Sequence, residues 1–342
     1  RKMEARRVET GIYRPTVGPT RAYAQPDVPI PAGMFAQFLD LPLLRGDETA
    51  HAPWLAASAT PWRGPVNVFM SASDAGYRLN STFRAPSVVG DTLDDLQPAQ
   101  PWTWSRQPAV HVKVYGGVLQ SRSKLEVLNG ANTLALRASG ASDWEIVQFR
   151  DAELVGTGIY ALSGFLRGQA GTEFLADAVV PAGADLVLLD SGPGQIDLAP
   201  ADRGLTRNFR VGPARLPYTD PAYLHFEEAF DGVGLRPYAP VHVTARRNAA
   251  NDLQIAWIRR TRRGGDVWTG LDVPLAEESE AYMVRVTASQ VLVREWMVET
   301  PQAAYSAADQ TADGIATPFE LEIAQVSAGF GTGPFARITV DD

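Results

Sequence analysis

The residues best suited to chemistry in this sequence are arginines, acids and aromatic rings, and no nucleophile stands among them in a recognisable setting. The run Leu162-Ser163-Gly164-Phe165-Leu166-Arg167-Gly168-Gln169-Ala170-Gly171-Thr172-Glu173 places a guanidinium and a carboxylate on either side of two glycines. Glycine adopts φ > 0 freely, so a tight turn at Gly168 or Gly171 is expected to bring Arg167 and Glu173 against each other or against a neighbouring subunit. The plainer expectation is a turn within one domain closed by a local ion pair of small energetic weight. Arg259, Arg260, Arg262 and Arg263 stand just before Gly264-Gly265. Planar guanidinium groups grip carboxylate or phosphate with two parallel hydrogen bonds, which suits an acidic saccharide or a partner protein; an edge strand guarded by charge would show the same cluster. Trp102 and Trp104 are two apart and would share one face of a strand, either stacking on a sugar ring or buried between β layers. Phe330, in Gly329-Phe330-Gly331-Thr332-Gly333-Pro334, is either a contact at a loop tip or a packed aromatic. That loop is not a phosphate cradle, because no helix follows it and no Lys-Ser/Thr is present.

The remaining candidates are weaker. His51, His111, His225 and His242 lie far apart without i, i+4 or metal-ligand spacing. The adjacent acids Asp94-Asp95, Glu227-Glu228 and Glu277-Glu278 point apart on a strand and read as solvated charge rather than as a glycosidase pair. Asp309 to Gly314 lacks the middle ligand of a calcium loop, and neither a Gly-x-Ser-x-Gly elbow nor a His-Glu-x-x-His helix occurs. The sequence therefore leads us to expect no catalytic residue, no metal and no cofactor.

Bulk properties restrict the class further. With 31 basic and 39 acidic residues the net charge is −8, which gives no reason to expect direct nucleic-acid recognition or an anionic membrane surface. The absence of cysteine excludes disulfides, thiolate metal sites and cysteine nucleophiles together. The longest apolar runs, such as Leu186 to Leu189, are too short to span a bilayer. The opening Arg1-Lys2-Met3 has no charged-then-apolar leader, and the chain is expected to begin within a longer protein.

These side chains must be positioned by strands. Val241, Val243 and Ala245, then Leu253, Ile255 and Trp257, Tyr282, Val284 and Val286, Phe319, Leu321 and Ile323, and finally Phe335, Ile338 and Val340 recur mostly two apart, bounded by Gly, Pro, Asn or Asp. That alternation predicts a β-sandwich over residues 236–342. Upstream, Val66-x-Val68-x-Met70 and Val110-x-Val112-x-Val114 predict strands, Gly90 to Leu96 a turn of helix or a tight loop, and Leu125-x-Val127 a strand ending in an Asn129-Gly130 turn. Leu134 and Leu136, then Trp144, Ile146 and Phe149, then Tyr160, Leu162 and Phe165 continue the pattern, and Leu186 to Leu189 suits a strand buried on both faces. Six positions between Pro15 and Pro31 are Pro or Gly, so residues 1–31 are expected to form an extended connector. The expected division is then 1–31 connector, 32–118 and 119–235 two β-rich parts, and 236–342 the terminal sandwich, with the break marked by Pro and Gly between Asp231 and Pro240.

Two resemblances add to this reading. Leu253-x-Ile255-x-Trp257, Tyr282-x-Val284-x-Val286 and the late strand and loop from Glu320 to Gly331 resemble a fibronectin type III domain. The Leu162 to Glu173 segment resembles the leucine-arginine-glycine, glycine-threonine segment of phage tail proteins. Leu128 to Asn132, Trp144 to Phe149, Leu39 to Asp47 and Trp62 to Val66 are similar to the same family, in particular to the C-terminal part of the baseplate hub, or megatron, proteins of gene transfer agents. The resemblance implies an all-β, multidomain chain of β-barrel and β-sandwich hub-type domains with a C-terminal fibronectin type III-like sandwich. It implies a homotrimer at the tail tip baseplate of a virion-like particle, in contact with other tail and baseplate proteins and with host cell-surface saccharide. It implies no enzyme activity in this window, since the family's glycoside-hydrolase-like domain would precede it. A carbohydrate-active secreted protein with accessory sandwich modules is the competing expectation.

Overall fold

Strands whose side chains alternate between two faces build the described residues, some with one face buried and some, such as Trp54–Ser58, with both. The computed structural model describes residues 1–4, 33–265 and 273–341, and Ala32–Asp342 forms one compact unit. The connector expected over 1–31 lies, apart from residues 1–4, outside the described residues.

In chain order, β1 (Phe35–Leu39), β2 (Trp54–Ser58), β3 (Val66–Ser71) and β4 (Arg78–Phe83) come first. They are followed by β5 (Val89–Thr92), β6 (Val110–Val114), the short helix α1 (Lys124–Leu128), β7 (Thr133–Arg137), β8 (Glu145–Gly156), β9 (Ile159–Gln169) and β10 (Asp185–Leu188). The chain then returns through β11 (Gly194–Gln195), β12 (Arg207–Pro213) and β13 (Leu224–Glu228). β5 to β10 close into an antiparallel barrel in the order β10-β5-β6-β9-β8-β7. The strands on either side of it in sequence build two sheets, β1-β2-β11 and β13-β12-β3-β4. The barrel is thus inserted into a sandwich, and the division expected between residues 118 and 119 falls inside the barrel, between β6 and α1.

Period-two alternation explains the packing. Leu134 and Leu136, Val147 and Phe149, and Leu186 fill the barrel interior with Val110, Val112, Val114 and Leu162. Their neighbours Ala135, Ile146 and Val187 point outward, where they meet Leu39, Trp54 and Ala56 in a second cluster. Leu55 and Ala57 of β2 face the other way, into the sandwich core with Phe38, Val68 and Phe209. All five residues of β2 are therefore buried, and the strand works as a party wall between two cores. β10 is shared in the same manner, as its continuous apolar run predicts.

Two local expectations are corrected. Residues Lys124–Leu128 form a helix rather than a strand: Ser123 accepts from the Glu126 N–H while the Glu126 carboxylate accepts from the Ser123 N–H, a reciprocal cap that fixes the first turn. Of the apolar residues there only Val127 is buried. The segment expected to be a helical turn or loop at Gly90 starts instead as β5. Gly90 lies so close to β6 that a Cβ would stand 2.0 Å from the Lys113 carbonyl oxygen, so its glycine serves sheet pairing and not a turn.

The terminal module begins with β14 (Val241–Arg247), β15 (Leu253–Ile258), β16 (Tyr282–Ala288) and β17 (Val291–Val298). β18 (Gln302–Tyr305), helix α2 (Ala307–Ala312), β19 (Phe319–Ser327), β20 (Gly331–Thr332) and β21 (Ala336–Val340) complete it. Its sheets run β14-β15-β18 and β17-β16-β19, with β21 paired to the far side of β19. Three strands facing four in this connectivity make a fibronectin type III-like sandwich. Trp257 fills the space between sheets, edge-on to Tyr282 with ring centroids 5.1 Å apart. Burial of that tryptophan at 5% exposure is worth about 3–5 kcal/mol against alanine.

Candidate functional site

Of the residues singled out in the sequence, Trp102, Glu173, Arg260 and Phe330 meet at the junction between barrel and terminal sandwich, in pairings other than those expected. Arg167, near the end of β9, is fully buried. Its Nε and Nη2 donate to the two oxygens of Glu145 at 2.9 and 2.5 Å. Nη1 donates to the carbonyls of Gln97 and Ala178, both at 2.8 Å, and Nη2 also to that of Leu175 at 3.1 Å. All five N–H donors are thereby satisfied, which is the condition under which a buried guanidinium is tolerated. Glu145 additionally accepts the Gly168 N–H at 3.0 Å. The expectation that Arg167 meets Glu173 or a partner is corrected on this ground: it has no accessible surface and is consumed inside the barrel end.

The glycine turn itself forms as predicted, with Gly168 at φ 65° and Gly171 at φ 85°. Thr172, also fully buried, accepts the Ile146 N–H at 3.1 Å and donates to the Gln169 carbonyl at 2.7 Å, stitching β8 where its register with β9 shifts between Ile146 and Gln148. The turn then presents Glu173 outward, toward the other module. Arg260, beyond β15, holds Glu173 in two bonds of 2.7 and 3.1 Å and donates from Nε to the Ala239 carbonyl at 2.8 Å. Its guanidinium carbon lies 5.1 Å from the Tyr238 ring centre and 5.6 Å from that of Trp102. The bland expectation for the Gly-Thr-Glu segment, a local ion pair, is replaced by a pair linking two modules.

Two other members of the arginine cluster, Arg259 and Arg262, are also held within the chain. Arg262 pairs with Glu277 at 3.0 Å and donates to the Ala276 carbonyl at 2.8 Å; burial raises the Glu277 pKa, with Arg262 opposing the rise. Arg259 donates to the Val273 carbonyl at 2.8 Å. Arg263 is exposed. Tyr238 sits between Arg260 and the turn, and a Cβ on Gly171 would stand 2.4 Å from its ring. Burial, reinforced by Glu173, pushes the Tyr238 hydroxyl up to about 12.

Trp102 and Trp104 occupy the loop before β6 and not a strand, so the shared strand face expected for them does not form. Trp104 is half-buried, whereas Trp102 is 61% exposed and held at φ 59°. Phe330 is half-buried and turns toward the barrel rather than standing free at a tip. Trp102, Phe330, Phe335 and Phe174 line a cleft of about 630 Å³ at the junction, with Glu173, Asp177, Arg236, Arg260 and Arg337 supplying its charge. Sequence reasoning missed Arg236, Tyr238 and Phe174. Arg236 bonds Asp143 at 2.7 Å and lies 5.0 Å over the Phe174 ring. The first two fall in the Pro- and Gly-marked stretch taken only as a boundary, although an arginine and a tyrosine in a short linker are themselves a signal of docking.

The paired acids serve local structure. Asp94 accepts the His111 backbone N–H at 2.9 Å and contacts its ring nitrogen at 2.6 Å, Asp95 accepts the Ala182 N–H, and Glu278 accepts from the Ser327 hydroxyl. Among the described residues no group of three His, Asp or Glu could hold a metal ion, and no helix is long and apolar enough to cross a membrane.

Residues 87–187, the span of the barrel, match the family described as Rcc01698-like, C-terminal. No curated protein matches the chain. Among solved structures, domains d3–d4 of the rat CD45 extracellular region are 12% identical, with 40% of this chain and 63% of that one covered, at a TM-score of 0.23. The FN1–FN3 domains of chicken CNTN1 are 10% identical, with 91% and 99% covered, at a TM-score of 0.22.

Proposed function

We propose that this chain is a structural component of the tail tip of a phage-like particle of the gene transfer agent type, a baseplate hub part that supports tail assembly, host-surface contact and DNA delivery. The observation that carries the reading is the match of the barrel to the Rcc01698-like family, which is associated with gene transfer agents. The construction of the molecule supports it. A barrel sharing the walls of a sandwich, with a second sandwich clamped on through Arg260 and Glu173, suits a part that carries load between neighbours. In this role the work is mechanical: copies pack as a homotrimer and against other tail and baseplate proteins through apolar area, and charged pairs fix their register.

Native mass spectrometry of the full-length protein, followed by imaging of whole particles, tests the proposal. A trimer burying more than about 2,000 Å² per interface and located at the tail tip supports it. A monomer that hydrolyses glycans overturns it in favour of a carbohydrate-active secreted protein.

A further inference from the structure

Trp102 is the bulkiest of the eight non-glycine residues that stand at positive φ among the described residues. A bulky side chain in the left-handed region is rarely adopted and costs about 1–3 kcal/mol, yet Trp102 sits at φ 59° with 61% of its surface exposed. Packing repays little of that strain: most of the residue is exposed, and its ring is met by the Arg260 guanidinium carbon 5.6 Å from the ring centre. What the conformation does achieve is to present an indole at the cleft between barrel and terminal sandwich, facing the space lined by Phe174, Phe330 and Phe335.

We propose that this cleft binds an oligosaccharide, with Trp102 as its stacking platform. The axial C–H groups of a pyranose ring carry partial positive charge and fit the negative face of an aromatic ring. Hydroxyls need donors and acceptors together, and the cleft offers both: the exposed Asp177 carboxylate, which forms no ion pair among the described residues, and the guanidinium of Arg337, 67% exposed beside Glu322. Three arginines against two acids line the cleft, a near balance that favours a neutral or weakly acidic sugar over a polyphosphate. A proline-rich peptide would use the rings and could offer carbonyls to Arg337, but its prolines carry no N–H to donate to Asp177. The inference stands apart from the assembly reading above, which supplies only the place, a host surface, where such a sugar would be met.

The test uses the full chain with three probes, chitotetraose, cellotetraose and tetragalacturonate, followed by tryptophan fluorescence and saturation-transfer NMR. At least one should bind saturably, and Trp102→Gly should weaken that binding at least about tenfold. Because glycine accepts this φ, the same variant should melt within about 5 °C of the parent. Asp177→Asn, an exposed change, should weaken binding about threefold or more without altering the fold. No saturable binding of any probe up to about 10 mM overturns the proposal, as does undiminished binding by Trp102→Gly or a larger fall in its melting temperature. Trp102-dependent binding of a proline-rich decapeptide with none of the sugars also overturns it. A trimer that binds no sugar ends this inference alone, and a monomer that binds sugar without cleaving it ends only the assembly reading.

Discussion

Arg167 in the barrel and Arg260 at the module junction each hold one glutamate with two bonds, but they do so in different media. Arg167 and Glu145 have side-chain exposures of 0% and 2%, whereas Arg260 and Glu173 retain 20% and 13%. In the first case desolvation is severe, so the five donors must all be met and the pair is inseparable from the barrel's end. In the second, water still screens the charges, and the pair contributes orientation more than energy. A bidentate arginine is therefore a fixed internal strut or an adjustable clamp according to its burial, not according to the motif in which it occurs.

The comparison is broken most directly at Arg167. Arg167→Leu leaves Glu145 buried without a counter-charge and should destabilise the chain by about 3–5 kcal/mol in a denaturant titration, while Arg167→Met with Glu145→Leu should recover most of that loss. Equal losses in the single and double variants would show that packing, not charge, sets the cost. Next in size, Gly171→Ala places a methyl against the Tyr238 ring at a left-handed φ and should cost about 1–3 kcal/mol. Because the disturbance sits at the junction, limited proteolysis should cut the linker between Asp231 and Pro240 faster in this variant. A double-mutant cycle of Arg260→Ala and Glu173→Ala should give a coupling of only about 1 kcal/mol, falling with added salt, in contrast to the barrel pair.

The smallest effects are those of pH, and they run in opposite directions. Hydrogen bonds from Arg294 and Tyr305 hold the Asp313 carboxyl below its ordinary 3.8. The unfolded chain binds that proton more readily, so the contribution of Asp313 is present above pH 3.8 and is lost as pH falls through the lowered folded value. The gap in melting temperature between the parent and Asp313→Asn should close on acidification. Burial lifts Glu277 above 4.5, so the folded chain binds its proton more readily and stability falls as pH rises from 4.5 through the raised value. Relative to Glu277→Gln, the parent should lose ground over that interval, and parallel curves for the two would refute the assignment.

The terminal sandwich was legible because each of its core positions recurs at period two and its breaks carry Gly, Pro or Asn. The doubly buried β10 was legible for the complementary reason, a short continuous apolar run. Where reading failed, a local signal was outweighed by a tertiary one or overlooked. The spacing of Leu125 and Val127 mimics a strand, and the Ser123-x-x-Glu126 cap that decides for helix straddles Leu125. In β5, the glycine and aspartate that suggest a turn are set by the close passage of β6. The partner of Arg167 lies 22 residues away on a neighbouring strand, and no spacing rule points to Glu145. Likewise the junction could be foreseen as a boundary, but which side chains meet across it depends on how two separately readable modules dock.

The insertion of the barrel has a consequence for how the molecule is made. During synthesis β1 to β4 emerge well before β12, yet β3 needs β12 on its flank and Phe38 needs Phe209 and Phe230 against its ring. The first sheet strands must wait, with greasy faces bare, while the ribosome completes an entire closed barrel. Such long-range closure is slow and exposes the nascent chain to clumping, so a chaperone's grip should matter most in the interval between the exit of Phe83 and the arrival of Arg207.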